Sequence, residues 1–152
     1  SNYKVLLNTD KTSIYEMLEL RLILESQCAF FAALRANTQD FEKIANSLEI
    51  MKAADDDEKL GIQADLSFHI AIAEATHNKV LVELIASLVP HIRNTIEVTR
   101  KYRLAEKTNI SRTFDEHKQI YLAISRGDSE QAKTLMENHI RTIREELSER
   151  LL

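Results

Sequence analysis

Glycine occurs twice and proline once in this 152-residue chain, as Gly61, Gly127 and Pro90. A sheet protein of that length turns sharply many times and draws on those residues at most of its turns. Leu, Ile, Ala, Glu and Lys dominate instead, and most of these favour helix. The chain is therefore expected to be all-α.

Periodicity divides it into six helices. Residues 13–36 open on Ser-Ile-Tyr-Glu, with Ser13 as a cap and Glu16 answering it three residues on. Thr38 is the next candidate cap, and residues 39–54 place Phe41, Ile44, Leu48 and Met51 on one side. The acids of 55–58 read as a solvated loop and the acidic first turn of a third helix, 57–76. A fourth covers 79–105, where Pro90 removes one helical hydrogen bond and predicts a kink. A fifth covers 110–126 and stops at Gly127, which suits a C-terminal cap; Asp128 then caps a sixth, with Gln131 at the capping-box position. The connections are short, so successive helices are expected to lie antiparallel in one bundle spanning 1–152.

The charges sum to −4, which argues against this chain alone gripping nucleic acid. No run of about 18 apolar residues suggests a membrane span. The single cysteine, Cys28, cannot form an internal disulfide and suits a reducing cytoplasm.

The histidines carry the chemistry. Leu66, Ile70 and Ala73 form the apolar stripe of the third helix, and Asp65 and His69 sit one turn apart at its edge. His117 shares a stripe with Phe114, Tyr121 and Ile124, and His139 with Leu135, Ile143 and Leu147. Three helices thus send ligand-type groups inward. Neutral imidazoles with one carboxylate suit a divalent ion, and helical bundles build such sites from facing helices. Spacing alone leaves a second reading open, in which these are hydrogen-bonded core residues. His77, at a helix end, and His91, after Pro90, read as capping or rim residues.

Enzyme signatures are thin. A carboxylate-bridged di-iron bundle needs two Glu-x-x-His pairs, and only Glu74–His77 has that spacing. There is no His-Glu-x-x-His, no glycine-rich phosphate loop and no Gly-x-Ser-x-Gly elbow. Glu116 and Glu137 neighbour His117 and His139, but adjacency on a helix turns side chains about 100° apart.

The stretches ELRLILE (19–25), DLSFHIAIAEATHN (65–78) and EHKQIYLAISRGDSEQAKTLMENHI (116–140) together resemble the C-terminal effector-binding (FCD) domain of GntR-superfamily transcription regulators, FadR branch. The resemblance covers nearly the whole chain. It implies an antiparallel helical bundle that senses a ligand and dimerises, with no enzymatic activity. The metal-dependent members use one Asp and three His, which fall here on Asp65, His69, His117 and His139. A divalent metal is implied, Zn²⁺ first and Ni²⁺ among the others. The implied effector is a small organic acid such as lactate, pyruvate, glycolate or a sugar acid. The family places a winged helix-turn-helix before this domain, so DNA would be contacted only through that part.

Arg21 is the first choice for holding an effector carboxylate, because a guanidinium can donate two parallel hydrogen bonds to it. The bland alternative is an i,i+4 ion pair with Glu25, about 0.3–0.5 kcal/mol on a helix surface. Arg93 and Asn78 are weaker effector candidates; a solvated arginine and a helix cap are their plainer readings. A small metallo-enzyme acting on the same acids, and a metal-free structural module, are the competing functions. The exposed sides of the first and fourth helices are the candidate homodimer surface.

Overall fold

The computed structural model describes residues 11–151. It holds six helices: α1 (Lys11–Arg35), α2 (Thr38–Ala54), α3 (Glu58–Glu74), α4 (Lys79–Leu104), α5 (Lys107–Ser125) and α6 (Ser129–Leu151). Among the described residues there is no strand, and no helix is long and apolar enough to cross a membrane.

The helix ends show which capping signals operate. Asn37, not Thr38, caps α2: its side chain accepts from the Asp40 backbone N–H, and the Asp40 carboxylate accepts from the Asn37 N–H. Asn caps somewhat better than Thr, and one residue of shift brings Asp40 into the reciprocal position. Ser13 does not open α1. The helix already includes Lys11, and Ser13 is buried inside it. Asp57 caps α3 and Asn78 caps α4. Gly127 closes α5 at φ 73°, where its N–H and that of Asp128 bond back to Ile124 and Ala123. That left-handed conformation is cheapest for glycine. Asp128 then accepts from the Gln131 N–H to start α6. Pro90 sits within α4, which runs unbroken through it.

Successive pairs α2–α3, α3–α4 and α5–α6 pack together, but α1 does not follow that rule. Its widest contact is with α6, and it also touches α3, α4 and α5. The helix α3 is buried around most of its circumference, through Ile62, Leu66, Phe68, Ile72 and Ala73. Asp65 and His69 therefore lie in the interior rather than at the edge of a stripe. Around them converge α1, α4, α5 and α6.

Candidate metal centre

His69 on α3, His117 on α5 and His139 on α6 are all buried, and each offers a ring nitrogen within 4.8 Å of the others. Asp65 joins them from one turn before His69. Its Oδ1 lies 3.0 Å from His117 Nε2 and 3.2 Å from His69 Nε2. Phe68, fully buried, sets its ring edge-on against His69 and His117 and gives the cluster an apolar backing. The chain thus supplies three nitrogens and one carboxylate oxygen to one small volume, from three helices.

The outward ring nitrogens decide what the inward ones can do. His117 Nδ1 lies 2.6 Å from the Thr113 carbonyl, and His139 Nδ1 lies 2.6 Å from Glu116 Oε1. Both oxygens only accept, so both Nδ1 atoms carry the proton. In a neutral ring this leaves Nε2 as a lone pair. His69 Nδ1 faces Glu25 Oε1 in ionic contact, although the alignment is not that of a hydrogen bond and neither atom has another hydrogen-bond partner. His117 and His139 are therefore each held from behind by an oxygen, the arrangement that orients histidine ligands. Lone pairs beside a carboxylate repel one another unless a proton or a cation lies among them. This donor set fits a divalent ion of borderline softness.

In the metal-free cluster these groups shift one another. Burial would raise the Asp65 carboxyl, but the His117 and His69 imidazoles hold it well below the usual carboxylate range. Glu25 is likewise buried, and Arg21 and His69 keep it ionised. Burial lowers His69, yet Glu25 and Asp65 outweigh it and raise the group. His139 is pushed down to about 4 by burial and by the neighbouring His117, against the pull of Glu116. It is therefore neutral at pH 7, the form that can donate to a metal. Glu116 falls to about 2, because hydrogen bonds from His139 and Arg103 outweigh its burial.

Residues 16–142 match the FCD domain family. The chain belongs to that family. This FCD domain has GntR-family transcription regulators as its homologues. It is 34% identical over 139 residues to the HTH-type transcriptional regulator LutR of Bacillus subtilis, covering 91% of this chain and 64% of that protein. It is 31% identical over 137 residues to the putative L-lactate dehydrogenase operon regulatory protein of Escherichia coli, covering 90% and 52%. With the E. coli Glc operon transcriptional activator it shares 32% over 150 residues, covering 93% and 58%. The chain thus spans between half and two thirds of the length of these relatives. Two solved structures share its fold: E. coli McbR/YncC, with a TM-score of 0.77, 16% identity and coverage of 94% and 71%, and Streptococcus agalactiae GntR, with 0.70, 23%, 88% and 58%.

Within the FCD domain the other predicted residues divide. Arg21 is buried at the cluster. It pairs with Glu25, donates Nη1 to Thr95 Oγ1 at 2.9 Å and sets Nη2 3.5 Å from His69 Nε2. The i,i+4 pair exists, but inside the protein rather than on its surface. Arg93 is taken up by Glu97 and Gln63, each at 3.1 Å, on a partly exposed face of α4. Asn78 is occupied in capping Val80 and Leu81. Neither of these two reaches the histidines.

Sequence reasoning missed several supporting groups. Glu116 does turn away from His117, and in doing so it meets His139 on the facing helix. Arg100 donates Nη1 to Asp65 Oδ2 at 3.1 Å. It gets there across Gly61: a Cβ on Gly61 would stand 2.6 Å from the Arg100 Nη2. A glycine inside a helix, four residues before the aspartate, was the available signal. Arg103 has no comparable signal in the sequence.

Proposed function

We propose that this FCD domain is the ligand-sensing and dimerisation part of a bacterial transcription regulator, and that Asp65, His69, His117 and His139 hold a divalent metal, with Zn²⁺ first and Ni²⁺ next. The observation that carries the reading is the convergence of one ring nitrogen from each of three buried histidines, with Asp65 Oδ1 against His69 and His117 and with oxygen acceptors behind His117 and His139. The bound ion would supply a positive Lewis-acidic point for the carboxylate or hydroxyl of a small organic acid. Arg21, next to His69 and already in a fork of polar contacts, would take part of that carboxylate. Relatives named for the L-lactate dehydrogenase and galactonate operons support a hydroxy or sugar acid as effector.

In the full-length regulator an N-terminal winged helix-turn-helix would contact DNA in the cytoplasm. An effector matters there only if it favours one helix packing over another. Exposed Ile23 and Leu34 on α1, and Val80 and Leu84 on α4, support those helices as the homodimer surface. An enzymatic role is not proposed. The carboxylates nearest the centre are committed, Glu25 to Arg21 and Glu116 to Arg103 and His139.

Elemental analysis of protein purified without chelators tests the metal, beside a variant carrying His117→Ala and His139→Ala. Stoichiometric metal in the wild type and none in the variant is expected. A metal-free wild type that takes up neither Zn²⁺ nor Ni²⁺, or a variant that keeps its metal, overturns the assignment. A thermal-shift panel of two- to six-carbon acids then identifies the effector, and turnover of any of them would favour the metallo-enzyme instead.

A further inference from the structure

Arg103 lies in the last turn of α4, on a different helix from any of the four converging donors, and is 2% exposed. An arginine is buried this completely only when its donors are used. Its Nε and Nη2 grip both oxygens of Glu146 on α6, at 2.9 and 3.1 Å. Its Nη1 goes elsewhere, to Thr113 Oγ1 at 2.7 Å and Glu116 Oε1 at 2.9 Å, both on α5.

Those two residues hold the outer nitrogens of two of the three histidines. The Thr113 carbonyl accepts His117 Nδ1–H, and the same Glu116 oxygen that Arg103 touches accepts His139 Nδ1–H. The Thr113 hydroxyl proton is spent on the Asn109 carbonyl at 2.8 Å, so its lone pair is turned to the guanidinium. One side chain therefore touches the Thr113 hydroxyl and holds the Glu116 oxygen that meets His139, while Arg112 stands 3.7 Å from the other Glu116 oxygen.

We propose that Arg103 is a positioning residue of the centre. Through Glu116 it sets the ring orientation and Nδ1–H tautomer of His139, and so makes α4 part of the site. The inference rests on the metal reading for its consequence, while the tautomer itself is a property of the metal-free protein. Lysine should not replace it: an ammonium is a point donor and cannot reach Glu146 in a bidentate fork while also bridging Thr113 and Glu116.

The arginine has a second, purely mechanical face, the clasp to Glu146, so the experiment separates the two. Arg103→Met breaks both contacts; Glu146→Gln weakens the clasp, and the Arg112 pair to the same carboxylate, without removing a group that touches His139; Arg103→Lys keeps the charge should the methionine variant not fold. Long-range ¹H–¹⁵N correlation of the imidazoles in metal-free protein should show Nδ1–H for His139 in the wild type and in Glu146→Gln. A mixture with Nε2–H is expected in either Arg103 variant. Zinc competition titration should give a 10- to 100-fold weaker site in the Arg103 variants, the range found when outer-sphere partners of metal ligands are lost. Glu146→Gln should change it less than threefold. Unchanged tautomers in the Arg103 variants, or an equal affinity loss in Glu146→Gln, would overturn the proposal. A wild type that binds no zinc at all would defeat the metal reading, and the tautomers would still decide the role of Arg103.

Discussion

Glu116 neighbours His117 in the chain but serves His139, accepting its Nδ1–H at 2.6 Å across the α5–α6 interface. That contact orients the deeply buried imidazole, while its neutrality comes from its other surroundings. The ring is surrounded by His117, His69 and Glu116, and burial with the two imidazoles prevails, leaving His139 at about 4.

The pH dependence of the metal-free protein follows. Unfolded, His139 binds a proton near pH 6.5; folded, it does so only near 4. Between those values the unfolded chain binds more protons, so stability must fall as the pH falls through that window. His69, whose folded value is raised, works the other way and gains stability on acidification. Comparison with His139→Gln isolates the first effect. The variant should lose less stability than the wild type between pH 6.5 and 4.5, by an amount on the order of 2 kcal/mol. Chemical denaturation at both pH values, with chelator present, measures it; parallel losses would refute the neutral buried ring.

Gly61 leaves room for the Arg100 guanidinium where it meets Asp65. Gly61→Ala should gain about 1 kcal/mol of helix propensity. Its Cβ would also push the guanidinium off Asp65, since it would stand 2.6 Å from Nη2. The contact it breaks is a charged hydrogen bond worth about 1.5–3 kcal/mol. Arg100→Met should accordingly be costly in the wild type and nearly neutral in the Gly61→Ala background. A double-mutant cycle measured by denaturant unfolding reads the coupling directly. Additive costs would mean that Arg100 and Asp65 do not depend on the glycine.

How much of this could be read from the chain alone follows from what helical periodicity does and does not encode. It tells which residues share a face, so Asp65 with His69, and the inward turns of His117 and His139, were legible. The Gly127–Asp128 junction was legible too, because a left-handed cap and an N-cap are local. Which faces meet is not local. Nothing in α1 announces α6 as its main partner, and so Arg21 could be placed on an inward stripe without its contacts to Thr95 and His69 being visible. Glu116 and Arg103 were illegible for the same reason: their partners lie on other helices, at separations of 23 and 43 residues for His139 and Glu146. Arg93 and Asn78 show the converse. Their residue types suited an effector, but Glu97 one turn on, with Gln63 on α3, holds Arg93, and the local cap holds Asn78.

The exposed apolar side chains of α4 should be dispensable for folding. Val80 is 74% exposed and Leu84 42% exposed, four residues apart on one face. Surface substitutions of this kind usually change stability by less than about 0.5 kcal/mol. Leu84→Glu with Val80→Lys should leave the helical content and zinc content as they are and yield a monomer in sedimentation, with a melting temperature lowered only by the lost dimer contacts. A dimer of unchanged strength would move the interface away from this end of α4.

Arg21 gives the sharpest test of the effector. Its guanidinium is buried with Glu25, Thr95 and His69 around it. Removing the group outright would leave Glu25 as an uncompensated buried charge, at a cost of about 3–5 kcal/mol, and would confound any binding assay. Arg21→Lys keeps the charge beside Glu25 while losing the planar fork that a carboxylate needs. Zinc content should therefore survive in the variant, since none of the four converging donors is touched. The acid that stabilises the wild type should do so much less. At a hundredfold excess over its dissociation constant that stabilisation is about 2.7 kcal/mol, and a tenfold weaker ligand loses about half of it. Thermal shifts of zinc-loaded wild type and Arg21→Lys against the same acid read the difference. Equal shifts would show that the acid is held without Arg21, leaving that residue only its structural duty to Glu25 and Thr95.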